Sequence, residues 1–146
     1  MTDAYIEKVL TDAFLTLNEF SGIKYINKDA SGKLLNVALP NIKFDEPPDK
    51  RYFILSFLSN EPEPAGLGTK AENRWSGILQ IDILIPLGAG SAEIEAKYNW
   101  ISRLFERGKS FGDVMIRRTY RAAHGAELTF YRTVIRVEFM ATLPKS

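Results

Sequence analysis

Along residues 3–20 the apolar positions Tyr5, Ile6, Val9, Leu10, Ala13, Phe14, Leu17 and Phe20 recur at the three- and four-residue spacing that lines one side of a helix. Thr2 or Asp3 stands where an N-cap belongs, and Ser21-Gly22 marks the end. Residues 24–50 are polar and turn-rich, with Ser31-Gly32, Pro40 and Pro47-Pro48, and read as a long surface excursion holding at most a short strand within residues 34–39. In residues 51–60 the period changes to two: Phe53, Leu55 and Phe57 share one face and Tyr52, Ile54 and Leu58 the other. Apolar character on both faces predicts a central strand.

A loop follows, broken by Pro62, Pro64, Gly66 and Gly68 and running to about Asn73, too long for a tight hairpin turn. Residues 74–86 then form the longest alternating run. Trp75, Gly77, Leu79, Ile81, Ile83 and Ile85 make a wholly apolar face, opposed by the mixed Ser76, Ile78, Gln80, Asp82 and Leu84. Gly88-Ala89-Gly90-Ser91 offers a turn and an N-cap for a second helix with Ile94, Tyr98, Ile101, Leu104 and Phe105 on one side. Gly108 closes that helix, with Arg103 and Arg107 placed for its C-terminal dipole. Residues 113–123 and 127–143 read as a hairpin joined at Ala123-His124-Gly125-Ala126, its last strand wet on the side of Arg132, Val134, Arg136 and Glu138 and dry on the other. The order predicts one α+β domain over residues 1–146: a mostly antiparallel sheet with two helices packed on one face.

Composition narrows the chemistry. With 146 residues, 45% of them apolar, the chain can bury one good core. Its formal charge of +1 lacks the basic excess of a free-standing nucleic-acid binder. The absence of cysteine rules out disulfides and thiolate chemistry and suits a reducing cytosol. No apolar run approaches the ~18 residues of a membrane helix, and the N-terminus has no apolar signal region, so a soluble, unexported chain is expected and no membrane partner.

Candidate sites are few. His124, the one histidine, has no nucleophile or orienting acid at a meaningful spacing and reads as a solvated turn residue. One histidine without cysteine gives no zinc set, and no metal or cofactor is expected. Gly88-Ala89-Gly90 lacks the Lys-Ser/Thr pair of a phosphate loop and reads as a structural turn. Glu61 and Glu63 lie in a Pro-rich loop without the burial that would raise a carboxyl pKa. The densest basic group is Arg117, Arg118 and Arg121 with Arg132 and Arg136 on the next strand. It reads either as a phosphate-contacting patch or as an outer face partnered by acids such as Glu127 and Glu138. Trp75, Trp100, Tyr120 and Tyr131 are spread over several elements and read either as aromatic surface that two helices leave uncovered for a partner or as an ordinary core with some exposed aromatics. No catalytic constellation emerges, and the expectation is a non-enzyme.

The run Phe44-Asp45-Glu46-Pro47-Pro48, then Arg51-Tyr52-Phe53-Ile54-Leu55, the Glu61-Pro62 loop, Arg74-Trp75-Ser76-Gly77-Ile78-Leu79-Gln80-Ile81-Asp82, Pro86-Leu87-Gly88-Ala89-Gly90 and Leu104-Phe105 resemble, in order and spacing, the phage tail terminator-like family. This is the family of the lambda-like minor tail protein that ends tail-tube growth. The resemblance implies a hexameric ring on the head-proximal end of the tail tube, with the tube protein and the head-tail connector as partners. It further implies phage DNA passing through the channel without sequence-specific binding, assembly in the host cytoplasm, and no catalysis. In that setting residues 26–36 and 61–73 are candidate docking loops. The interface candidates are Glu61, Glu63, Leu67, Lys70, Arg74 and Trp75 with Arg117, Arg118, Arg121, Arg132 and Arg136. The alternatives are a neck or head-completion protein of the same machinery, or a small-molecule-binding α+β module.

Overall fold

The computed structural model describes residues 2–16, 19–20, 23–40, 42–60, 63–64, 72–126 and 130–144. A first helix, Thr2–Thr16 (α1), is followed by a small antiparallel pair, Glu19–Phe20 (β1) and Ile23–Lys24 (β2). Val37–Ala38 (β3), Tyr52–Ser59 (β4), Glu63–Pro64 (β5) and Glu72–Pro86 (β6) precede the second helix, Ser91–Leu104 (α2). Ser110–Phe111 (β7), Val114–Ala126 (β8) and Phe130–Pro144 (β9) complete the chain. Strands β3 to β9 form one seven-stranded sheet in the order β3-β4-β6-β9-β8-β7, with β5 also paired to β6. Only β3 against β4 is parallel. The fold is α+β with both helices on one face, as the pattern predicts. No helix among the described residues is long and apolar enough to cross a membrane.

The period-two pattern becomes the register directly. Leu79, Ile81 and Ile83 of β6 lie opposite Val137, Ile135 and Thr133 of β9, and Phe57, Leu55 and Phe53 of β4 flank them on the other side. That row packs against Ile6, Leu10 and Phe14 of α1 and Ile94, Trp100 and Ile101 of α2 in a single buried cluster. Trp100 is its hub: the Phe14 and Phe53 rings stand 5.1 and 5.7 Å from it, and Tyr25 stacks on it at 4.7 Å. Burying each such side chain stabilises the fold by about 2 kcal/mol, so the hub joins both helices, β4 and the excursion.

Six local readings differ from the pattern. The apolar periodicity of α1 continues past its last described turn, but Glu19 and Phe20 pair with Lys24 and Ile23 as strand; Thr2 and Asp3 sit inside the helix, not before it. Strand β4 is not central, because only β3 borders its outer edge, at Phe53 and Ile54. The cap of α2 is Gly90, at φ +91°, and Ser91 is the first helical residue. That helix ends at Leu104 with Phe105 as C-cap, so Gly108 (φ +89°) and Arg107 fall in the following turn. His124 and Gly125 are not the hairpin turn: β8 runs on to Ala126, with His124 opposite Thr133.

The excursion is held by a buried polar residue. Asn36 accepts from the Asn27 backbone N–H at 2.9 Å, donates to the Tyr25 carbonyl at 2.7 Å, and its own carbonyl takes the Phe53 N–H at 2.9 Å. Burial makes each of these bonds costly to lose. Just before β4, Arg51 Nε donates to both Glu93 oxygens at 3.0 and 2.8 Å, and Lys97 reaches Glu93 at 3.1 Å. Burial works to raise the Glu93 pKa, but these cations outweigh it and hold the carboxyl below its ordinary range.

Gly77 has a close-approach role. A Cβ there would stand 2.5 Å from the Leu58 carbonyl oxygen and 2.8 Å from the Phe139 ring. Since the first obstacle is backbone, Gly77→Ala is expected to lower stability by about 1–3 kcal/mol, read as a lower urea midpoint with unchanged slope. An unchanged midpoint would contradict this packing.

Candidate functional site

The helix-free face of the sheet carries the polar half of the alternation. Across it run Ser56, Gln80, Arg136 and Tyr120 in one row, and Leu58, Ile78, Glu138 and Arg118 in the next. Beside them, Asp82 of β6 is 5% exposed although no helix covers it. Arg132 Nη1 donates to its Oδ2 at 2.9 Å and Gln80 Nε2 to its Oδ1 at 3.0 Å, while Arg136 reaches Gln80 at 3.4 Å. Arg118 Nε donates to Glu138 at 2.6 Å, and its guanidinium lies over the Tyr120 ring at 4.6 Å. The hydrogen bond and charge of Glu138 hold the Arg118 pKa above its ordinary value. At one end Phe44 packs on Tyr52 and Tyr52 on Phe130, an aromatic run over the same face.

The sequence's five-arginine group is thereby divided. Arg118, Arg132 and Arg136 share the helix-free face, each engaged by an acid or by Gln80. Arg121 is on the other face, where it bonds Glu95 of α2 at 2.8 Å and covers the Tyr98 ring at 4.4 Å. Arg117 is exposed at an irregularity in β8. The cause is two breaks in the β8 register, between Ile116 and Arg118 and between Arg121 and Ala123. The first moves the inward positions from Ile116 to Thr119, whose Oγ1 donates to the Phe105 carbonyl at 2.6 Å. Strict alternation cannot foresee such an insertion. The pairing of Asp82 with Arg132 was better signalled, because even-numbered residues of both strands fall on one face.

Arg74 is exposed opposite Thr142, on the helix-free side of β6. Trp75 faces the other way and packs against the core, so it serves the fold first; its buried Nε1 has no partner among the described residues. Glu63 lies in β5 opposite Arg74. Glu61, Leu67 and Lys70 fall outside the described residues, as does most of the 61–73 loop. The 26–36 segment is a tight turn: the Asp29 carboxylate accepts from the Ser31 hydroxyl and from the Ser31 and Lys33 backbones, chiefly the first of which holds its pKa down.

His124 Nδ1 stands 3.1 Å from the Tyr131 hydroxyl, beside a shallow cavity of about 220 Å³ bordered by Arg132 and Val134. No carboxylate joins that pair in any described hydrogen bond. Among the described residues no three of His, Asp and Glu gather as a metal site. The Gly88-Ala89-Gly90 turn closes on itself through the Ala89 N–H to the Pro86 carbonyl at 3.3 Å. What the arrangement offers is surface: an amphipathic sheet face and two unlike sheet edges.

The family model described as phage tail terminator protein matches residues 22–139, and the chain belongs to that family. A solved structure aligns over 99% of this chain and 96% of its own length, with a TM-score of 0.59 and 20% identity, which shows a shared fold. Among curated proteins none matches by sequence.

The ion pair on the helix-free face is measurable. Asp82→Ala leaves the Arg132 guanidinium half-buried without its carboxylate, and is expected to cost about 1–3 kcal/mol in urea unfolding. A loss below the error of the measurement would mean that the pair contributes nothing net.

Proposed function

We propose that this member of the phage tail terminator family forms a ring, hexameric in the family's manner, that caps the head-proximal end of the tail tube. There it stops addition of tube subunits and offers the surface to which the head connector attaches. The carrying observation is the family match over residues 22–139, the region that holds α2 and nearly all of the large sheet, though not α1. The geometry supports the reading in a specific way. A sheet covered on one side only keeps a broad, rigid surface for neighbouring subunits, and its side chains are held by cross-strand pairs.

In this reading the partners are further copies of the chain, the tube protein and the connector, and the place of action is the virion tail after assembly in the host cytoplasm. Arg74, Arg118, Arg132 and Arg136 belong to the surface available for subunit and tube contacts. DNA passes the ring without sequence-specific binding. The engagement of Arg118 by Glu138 and of Arg132 by Asp82 supports a loose passage, because paired guanidinium groups hold phosphates less firmly than free ones.

The test is polymerisation of the cognate tube protein with and without the chain. Added protein is expected to bind one end of each tube and to stop extension from that end, while its own mass rises from subunit to ring. Tubes that keep elongating at both ends in its presence would contradict the proposal. Binding to the portal or connector alone, without any effect on tubes, would support the neck protein instead.

A further inference from the structure

We infer that the two opposite edges of the sheet are complementary, and that the β3–β4 edge of one copy docks head-to-tail against the β7–β8 edge of the next. The inference extends the proposed ring by naming its contact surfaces, but stands on observations of the single chain. The first is where apolar surface remains. Leu35, Ile42 and Leu58 are exposed large hydrophobic residues at the β3–β4 edge, Ile42 at 61% and Leu58 at 60%. Tyr5 and Met115 are exposed at the other edge, where Tyr5 donates to Asp113 in the turn between β7 and β8. Among the described residues only Leu87 of this class lies elsewhere.

The second observation is charge. Phe44 anchors its segment on Tyr52 of β4, and the adjoining Asp45 and Glu46 are exposed, with no cation partner among the described residues. Strand β8 contains Arg117, Arg118 and Arg121 and no acid, and Arg117 is exposed with no carboxylate partner among the described residues. Asp45 and Glu46 therefore set two neighbouring carboxylates, flanked by the exposed Lys43 and Lys50, beside apolar residues at one edge, and Arg117 sets an unpaired guanidinium beside apolar residues at the other, so the match is one of local charges and not of whole rims.

The third is the unpaired backbone. β3 covers only Phe53 and Ile54 of β4, and β7 only Val114 and Met115 of β8, with the 108–109 turn adding Ile116. Because β4 and β8 are separated by β6 and β9 in antiparallel steps, they run in opposite directions. Rotation about an axis along the strands preserves direction, so β8 of one copy meets β4 of the next antiparallel. The register breaks and arginines of β8 disfavour indiscriminate strand addition, so side chains lead the contact. Two unlike faces per subunit, closed by rotation, generate a ring.

Charge reversal tests this. Arg117→Glu with Arg118→Glu, or Asp45→Arg with Glu46→Arg, is expected to weaken self-association about tenfold or more by setting like charges together, read by sedimentation alone and with tubes. All four substitutions in one chain restore opposite charges and are expected to restore the assembly. Because the chain has no cysteine, Glu46→Cys combined with Arg117→Cys adds a second reading. These positions flank opposite edges, with β4 and β8 about 14 Å apart by strand spacing, beyond disulfide reach within one copy. Oxidation should therefore give a ladder extending past the dimer. A wild-type chain that stays monomeric with and without tubes, reversals that leave its mass unchanged, failure of the fourfold reversal to rescue while circular dichroism shows it folded, or a ladder that stops at two would each overturn the inference. Rings that form by these edges yet leave tube growth unchanged would uphold the contact and sink the tube-capping role, so the two failures are distinguishable.

Discussion

β6 and β9 are paired over all fifteen residues of each, and this ladder is the constraint on which the remaining structure depends. Two strands of that length, side by side, commit Leu79, Ile81, Ile135 and Val137 to one face and Gln80, Asp82, Arg136 and Glu138 to the other. Helices bring enough apolar surface for one face only. The second face must then be stable while open to water, and it achieves this through cross-strand hydrogen bonds and ion pairs instead of a second packed layer. A one-sided sheet of this kind is suited to presenting surface.

Much of this was legible in the chain because period two is strict in β6 and β9. Every residue from Leu79 to Ile85 lies on the face its parity assigns, and the helical run in α2 places Ile94, Ile101 and Leu104 inward. What escaped has identifiable causes. A register break in β8 spends an extra residue without any change in composition, so Arg121 turned toward Glu95 although its density with the other arginines grouped it with them in the sequence. His124 looked like a turn residue because Gly125 follows it, yet glycine also fits within a strand where no side chain crowds it. Strand β4 looked central because Tyr52, Ile54 and Leu58 are apolar. Its outer edge instead carries the two-residue β3, and Tyr52 packs beneath Phe44.

The candidate site was less legible than the fold for a physical reason. Catalytic groups advertise themselves by residue type and spacing, whereas a contact surface is assembled from ordinary residues brought together by topology. Asp45 and Glu46 come to lie near one edge of the sheet, and Arg117 and Arg118 near the opposite one, only once the order β3-β4-β6-β9-β8-β7 is known. Trp75, conspicuous in sequence, belongs to the core, while the plainer Leu58 and Ile42 hold the exposed apolar surface.

The proposal that the chain works as a ring at a single end of the tail is above all a statement about place. Electron cryomicroscopy of finished tails carrying an affinity-labelled copy of the chain addresses it directly. Density and label confined to one ring at the head-proximal end is the predicted result. Label distributed along the tube, or absent from tails altogether, would contradict it.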